Sequence, residues 1–179
     1  NAMVAYTYGR ATSVNDGASS TARSNWQFVQ IVDNPNNPPL TNSIFDLRHR
    51  IVGNAGYTIN YGKDNMFATS INVFYAGRSG SPFTYLYNGD LNGDGGNSND
   101  LLYVPNNASE INLIPISRDG QVVSTPAQQW DALNAYIEQD PYLSSRRGQY
   151  TERNGSTMPW QHQFDLRIGR VSLKMRVGD

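Results

Sequence analysis

The sequence of 179 residues contains no cysteine, which excludes a disulfide-stapled scaffold and a thiolate metal centre. It also contains no run approaching the ~18 apolar residues that a membrane-spanning helix needs. Its charges nearly cancel, with 14 basic against 15 acidic residues, so no strong field favours nucleic acid as a partner. A β protein stays open, including one that crosses a membrane with strands, because alternating strands produce no long apolar run.

The longest regular pattern in the chain runs from residue 45 to residue 77. Apolar or aromatic residues occupy most odd positions of 45–61, and polar or charged residues occupy most even positions, which is the alternation of a β-strand. Residues 66–77 repeat the alternation, and the Gly-Lys-Asp-Asn stretch between them has turn chemistry. The pattern predicts a long antiparallel hairpin. His49 falls on its apolar face and is interpreted as a packed or interfacial histidine.

Further elements are predicted on either side of this hairpin. Strands are expected at about 3–10 and 163–177, the latter with a bulge near Gly169 and Arg170, where its apolar phase shifts. Residues 11–42 and 78–162 are read as long loops, with a short strand at Trp26–Val32 inside the first. Residues 1–2 are interpreted as an expression-tag remnant, and the chain as a piece of a longer protein.

Two helices are predicted within the second loop. Thr125, a proline at the next position and Gln128 fit a capping box, which predicts a helix over 125–138. Leu133 and Ile137 share one stripe of this helix and are expected to pack against neighbouring structure. Asp140 is expected to cap a shorter helix that ends at Gly148.

The connections between predicted strands are long, short and long: 11–42, 62–65 and 78–162. Short turns on one side and long loops on the other are typical of an outer-membrane barrel. Phe45 at one end of the first strand, with Tyr57 and Tyr61 at the other, fits two interfacial aromatic girdles. The predicted fold is mainly β: antiparallel strands from part of an outer-membrane β-barrel, with a long extracellular excursion that carries one or two short helices. A half-buried sheet in a soluble domain gives the same alternation and stays open.

The stretch from 90 to 100 carries the clearest metal-binding pattern. Oxygen-bearing residues at alternate positions, followed by Gly95, are how a calcium loop begins. The acid that completes an EF-hand loop at its twelfth position is missing, because that position is Leu101. Asn97 is an additional oxygen donor. A flexible acidic loop of turn-forming residues is the alternative. The residues predicted to bind calcium are Asp90, Asn92, Asp94 and Asp100.

Other charged residues offer no reaction chemistry. No nucleophile and base stand together in a recognisable motif, so the chain is not expected to be an enzyme. Arg146, Arg147 and Arg153 are interpreted as solvated loop charge in preference to an anion-binding patch.

Six stretches, taken in order, resemble one family. They are 45–50 (FDLRHR), 76–83 (AGRSGSPF), 87–95 (YNGDLNGDG), 136–140 (YIEQD), 146–155 (RRGQYTERNG), and 159–160 (PW) leading into 164–167 (FDLR). Together they are similar to the C-terminal barrel portion of Bacteroidetes-type TonB-dependent outer-membrane receptors, the group with a carboxypeptidase-regulatory-like N-terminal domain. The order of the pieces, more than any single one, carries the resemblance.

The resemblance implies a plugged barrel of about 22 strands, energised through TonB and importing a scarce ligand across the outer membrane of a Gram-negative bacterium. The chain would hold about four of those strands, without the plug or a TonB box. Its partners would be outer-membrane lipid and the imported ligand, with no nucleic acid. An isolated segment would self-associate through its open strand edges. The alternative is a secreted, calcium-stabilised β module that binds carbohydrate or protein.

Overall fold

The computed structural model of the chain describes residues 1–172, which are mainly β. The strands are β1 (Ala2–Tyr8), β2 (Thr12–Ser13), β3 (Thr41–Asn42), β4 (His49–Tyr61), β5 (Phe67–Arg78), β6 (Pro82–Phe83), β7 (Tyr103–Val104), β8 (Ile116–Arg118), β9 (Gln121–Ser124), β10 (Gln149–Tyr150), β11 (Ser156–Thr157) and β12 (Gln161–Ser172). The α-helices are α1 (Ala22–Gln27), α2 (Pro126–Gln139) and α3 (Pro141–Ser145), and short 3₁₀ turns lie at Lys63–Asn65 and Ala108–Glu110. Within this range no helix is long and apolar enough to cross a membrane.

The chain divides into two compact units. The first contains residues 1–11, 45–81 and the stretch from 158 onward, and it is built on one antiparallel sheet in the order β1-β4-β5-β12. The second contains residues 12–44 and 82–157, which are the two long connections between the strands of that sheet.

The hairpin of β4 and β5 is the centre of the sheet, as its alternation predicts. The two strands pair from Arg50↔Arg78 to Tyr61↔Phe67. The reversal at 62–65 places Gly62, Asp64 and Asn65 at positive φ, which glycine, aspartate and asparagine tolerate better than other residues.

The first hairpin strand begins at His49, so it is shorter than the predicted 45–61. Asp46 explains the difference, because its side chain accepts hydrogen bonds from the backbone N–H of Ala11 (2.9 Å) and from Arg48 Nε (2.9 Å). These bonds hold a turn ahead of the strand, in which the Leu47 N–H donates to the Phe45 carbonyl. Phe45 therefore lies in this turn and not on the strand.

The final strand pairs with β5 along its whole described length. The predicted bulge at Gly169 and Arg170 is wrong, because the register passes without interruption from Gly169↔Ser70 to Val171↔Ala68. The apolar phase shifts in the sequence because Val171 lies on the opposite face of the strand from Ile168. Residues 173–177 of the predicted strand lie outside the described residues.

The second unit has a small apolar core. Val104, Ile137 and Leu143 are almost fully buried. The half-buried side chains that pack around them are Tyr85, Leu102, Leu133 and Tyr142. Full burial of an aliphatic side chain contributes about 1.5–3 kcal/mol, so three such residues give a connecting region a stable centre of its own.

The helices of this unit begin where the sequence predicts. Thr125 Oγ1 accepts from the Gln128 N–H (3.3 Å), and the Gln128 side chain accepts from the Thr125 N–H (2.9 Å), which completes a capping box. Asp140 Oδ1 accepts from the N–H groups of Tyr142 (2.8 Å) and Leu143 (2.9 Å) and so caps α3. Gly148 follows α3 at φ 73°.

The predicted strand at Trp26–Val32 is wrong, because α1 extends to Gln27 and residues 28–32 form no strand. Asn25 folds this segment, because its amide accepts from the Ser19 N–H (2.9 Å) and donates to the Ser19 carbonyl (2.7 Å). Within this segment Ile31 forms an isolated β-bridge, which is a parallel pairing with Asp100.

Candidate functional site

One face of the four-stranded sheet is apolar across all four strands. Cross-strand neighbours on this face include Val73↔Leu166 and Ile71↔Ile168. We call this set the outward row; its aliphatic members are Val4, Ile51, Ile59, Ile71, Val73, Leu166 and Ile168. Leu166 and Ile168 are 65% and 66% exposed. A soluble sheet would bury such side chains against a second layer, so the row suits an apolar surrounding.

Aromatic rings close the outward row at the end next to the long connections. We call these rings the loop-side girdle; they are Tyr6, Tyr8, His49, Tyr75, Trp160, His162 and Phe164. Hydrogen bonds join the Tyr6 hydroxyl to His49 Nδ1 (2.7 Å) and the Tyr75 hydroxyl to His162 Nδ1 (2.9 Å). Rings with an apolar body and a polar edge are suited to the boundary between lipid and water. The interfacial position predicted for His49 fits this arrangement.

A second set of rings lies at the opposite end of the sheet, beside the tight turn. We call it the turn-side girdle, and it contains the cross-strand partners Tyr61 and Phe67. The rings of Tyr61 and Phe67 stack with centroids 5.8 Å apart, and the Arg170 guanidinium lies 5.3 Å from the centre of the Phe67 ring. Of the residues predicted for this girdle, Tyr61 occupies this end, but the prediction for Tyr57 is wrong, because Tyr57 pairs with Ile71 in the middle of the apolar band.

The distance between the two girdles matches a membrane. Phe67 and Tyr75 are eight residues apart on β5, about 27 Å along a strand. At a tilt of ~40° this spans about 20 Å across the membrane. His49 and Tyr61 are twelve residues apart on β4 and span about 30 Å by the same reasoning. The two values bracket the ~25 Å apolar band of outer-membrane strands.

The opposite face of the sheet is polar, and we call it the inward row. Asn54, Thr58, Ser70 and Asn72 occupy its middle. Its charged members are Arg50, Arg78, Asp165 and Arg167. Arg50 and Arg78 are direct cross-strand partners, and Arg78 Nε donates to Gln161 Oε1 (2.7 Å). A cavity of about 710 Å³ opens beside these two arginines. Such a surface is suited to contact with water or a polar solute.

The predicted calcium residues fall in a closed loop of the second unit, which we call the acidic loop (residues 88–100). Backbone bonds close its base, from the Gly89 N–H to the Asn97 carbonyl (3.1 Å) and from the Tyr87 N–H to the Asp100 carbonyl (2.9 Å). Asp90 accepts from three backbone N–H groups, those of Gly93, Asp94 and Gly95, at 2.7–3.1 Å. The segment is therefore a folded turn.

Asp94 lies at the centre of the acidic loop. Its Oδ1 accepts from the Gly96 N–H (2.7 Å), and its Oδ2 accepts from the amides of Asn99 (2.9 Å) and Asn92 (3.3 Å). The Gly96 bond, with the two amides, lowers the pKa of Asp94 below its usual value. Asp94 is therefore a carboxylate at neutral pH.

Asn99 and Asp100 lie beneath this turn and are each only 1% exposed. Asp100 Oδ2 accepts from the Leu91 N–H (2.6 Å), and Asn99 Nδ2 donates to Asp94. The amide oxygen of Asn99, Oδ1, and the second carboxylate oxygen of Asp100, Oδ1, are buried without a hydrogen-bond partner. The sequence predicted Asp100 as a calcium ligand but did not indicate Asn99, because nothing in the local pattern shows that Asn99 is buried.

The four predicted ligands do not form a cluster of carboxylates. Within residues 1–172, no three histidine, aspartate or glutamate side chains come close enough together to hold a metal ion. The oxygens near Asp94 come mostly from amides and from the backbone.

Arg153, one of the three arginines interpreted as solvated loop charge, is buried and structural instead. Arg153 is 4% exposed, and its guanidinium donates to the carbonyls of Ser13 and Val14. Its Nε lies 3.9 Å from Asp16 Oδ2. Burial by itself raises the pKa of Asp16, but bonds from the Ile44 N–H, Asn154 and Ser13, together with the Arg153 charge, lower it below its usual value. The contacts of Arg153 join segments distant in sequence, so no local pattern reveals them.

An apolar cavity of about 800 Å³ opens on the core of the second unit. Leu102, Leu133 and Ile137 line it, together with Tyr103 and Tyr150, whose rings meet edge to face at 5.2 Å. Its volume is within the range of small-molecule sites.

An antiparallel sheet with an apolar outer face, two aromatic girdles and a polar inner face defines an outer-membrane β-barrel protein. Comparison with known families gives the same result, because residues 1–176 match the outer membrane beta barrel domain family. The chain belongs to that family, and its location is the outer membrane of a Gram-negative bacterium. No curated protein and no solved structure matches the chain.

Proposed function

We propose that this chain forms part of the barrel of a TonB-dependent receptor that imports a ligand across the outer membrane. The observation that carries the proposal is the folding of the two long connections, residues 12–44 and 82–157, into a compact unit with its own core. A pore for passive diffusion needs no such unit, whereas a receptor needs a structured surface that captures a scarce ligand. The resemblance of six ordered stretches to Bacteroidetes-type receptors agrees with this choice.

The inward row favours a solute that carries negative charge. Three arginines stand on this face against one aspartate, and the pair Arg50 and Arg78 lies directly across two strands. Like charges in that position repel each other. No carboxylate among residues 1–172 forms an ion pair with either guanidinium, so an anionic group in transit would be stabilised there.

A solute-depletion experiment in the source bacterium tests the proposal. Three strains are compared: the parent, one that lacks the gene for the protein containing this chain, and one that lacks TonB. Mass spectrometry of the spent medium is expected to find at least one solute that the parent depletes and neither mutant depletes. A complemented strain is expected to restore depletion.

A matched pair of substitutions tests the charge preference in the complemented strain. Arg78→Gln removes a charge from the inward row, and Arg118→Gln removes one from the exposed end of β8 in the second unit. Only Arg78→Gln is expected to slow depletion of the solute. Equal depletion by all three original strains would refute receptor function, whereas an uncharged solute would refute the charge preference alone.

A further inference from the structure

We propose that the acidic loop binds a calcium ion, with Asp94, Asn99 and Asp100 as the side chains that hold it. The proposal does not depend on the imported ligand, because the loop lies in the connection between β6 and β7, which belongs to the second unit.

Two buried oxygens without partners carry the inference. A polar atom that is buried without a hydrogen bond costs about 1–3 kcal/mol, and the acidic loop holds two such atoms on adjacent residues, Asn99 Oδ1 and Asp100 Oδ1. One belongs to a carboxylate, for which the cost is larger. A bound cation would supply the partner that such a buried oxygen lacks.

Asn99 Oδ1 faces the turn formed by Asp90 to Gly96. A methyl group added at Gly96 would overlap Asn99 Oδ1 and would lie 2.9 Å from Asp94 Oδ1, so these two oxygens flank the same glycine. The Asp100 carboxylate holds the Leu91 N–H at 2.6 Å, directly after Asp90. Oxygens from both ends of the loop therefore approach its centre.

The chemistry of the donors favours calcium over other cations. The donors are carboxylate, amide and backbone oxygens, without a histidine or a thiolate, and hard oxygen ligands are those of Ca²⁺ and Mg²⁺. Ca²⁺ accepts six to eight such ligands in flexible geometry, whereas Mg²⁺ demands a near-ideal octahedron. An irregular turn of small residues suits the flexible coordination of Ca²⁺ and not the octahedral coordination of Mg²⁺.

The charge of the site predicts its affinity. Since no three acidic side chains converge within the described residues, few carboxylates would contact the ion. Affinity for Ca²⁺ falls with fewer charged ligands, and extracellular modules bind at about 0.1–1 mM. The proposed site belongs to this weak class and would be filled only where calcium is plentiful.

Calorimetric titration of the whole chain in detergent with CaCl₂ tests the proposal directly, with MgCl₂ titrated in parallel. Terbium luminescence sensitised by the neighbouring Tyr87 gives a second readout. We expect saturable binding of Ca²⁺ and at least tenfold weaker binding of Mg²⁺. Asp94→Asn is expected to weaken Ca²⁺ binding at least tenfold. Asp119→Asn, in an exposed turn of the same unit, is the matched control and is expected to bind as the unaltered chain does.

A gain-of-function variant keeps the test informative if Asp94→Asn does not fold. Asn99→Asp adds a carboxylate beside Asp94, so it is expected to lower Tm without calcium and to bind Ca²⁺ several-fold more tightly. No saturable heat up to about 10 mM Ca²⁺, some ten times the weakest affinity of this class, would overturn the proposal. Equal affinity of Asp94→Asn and Asp119→Asn, or unchanged affinity of Asn99→Asp, would overturn it as well.

Discussion

Replacement of Ile71 by arginine tests whether the outward row faces lipid. Ile71 lies midway between Phe67 and Tyr75 on β5, and its cross-strand neighbours are Tyr57 and Ile168. The residue is therefore at the centre of the apolar band, as far from both girdles as the strand allows. A guanidinium at this position would stand about 13 Å along the strand from either girdle.

The expected cost follows from that depth. An arginine on the lipid face at the bilayer midplane destabilises an outer-membrane barrel by about 2–4 kcal/mol, and the cost falls to ~0–1 kcal/mol near the interfaces. About 3 kcal/mol corresponds to a loss of roughly two orders of magnitude in the ratio of folded to unfolded protein.

Ser70→Arg is the matched control, because Ser70 adjoins Ile71 in sequence and lies on the inward row. Its cross-strand partners are Thr58 and Gly169, so no cation opposes the new charge and the neighbouring glycine leaves room for it. We expect this variant to lose less than about 1 kcal/mol, since a polar inner face tolerates charge.

The assay is guanidinium unfolding of the chain refolded in phosphatidylcholine vesicles, followed by tryptophan fluorescence. The midpoint for Ile71→Arg should fall well below that of Ser70→Arg, with the slope of the transition unchanged. If both arginines were tolerated equally, or if Ser70→Arg were the more damaging, the outward row would not be in lipid and the assignment of the two faces would be refuted.

Three further predictions concern the second unit and the sheet edges. Arg153→Met should destabilise by about 3–5 kcal/mol, because it breaks a buried ion pair and strands two carbonyls; thermal unfolding measures this. Burial by itself raises the pKa of Asp140, but bonds from Tyr85 and the α3 backbone lower it below its usual value. The stability that the Asp140 carboxylate contributes to the fold should therefore be complete above its unfolded pKa and lost as the pH falls through its folded pKa. Acid unfolding scans measure this loss. The open edges of β1 and β12 should pair between chains, giving oligomers in light scattering.

Each of these three predictions has its own control or contrary result. Arg118→Met removes an exposed arginine and should leave Tm unchanged. An equal loss of Tm in both variants would contradict a stabilising role for the buried contacts of Arg153. Asp140→Asn should flatten the acid side of the plot of stability against pH, and an unaltered acid side would contradict a lowered pKa of Asp140. A sharp monomer of the chain in detergent would contradict edge pairing.

Local chemistry determined the elements that the sequence predicted correctly. The alternation of 45–77 specifies β4 and β5, and the turn between them needs only residues that tolerate positive φ. The capping box at Thr125 and the cap at Asp140 use side chains within three residues of the groups they bond. Interactions this short depend on spacing in the sequence, so they can be read without a structure.

Tertiary contacts decided the rest. The bulge predicted near Gly169 is absent because pairing with β5 holds β12 in register. The sequence marked Asp90, Asn92 and Asp94 as oxygen donors, but the burial of Asn99 depends on how the loop closes. Burial and pairing join residues far apart in the chain, and the physical reason they escape sequence reasoning is that no local pattern records which distant group will become the neighbour.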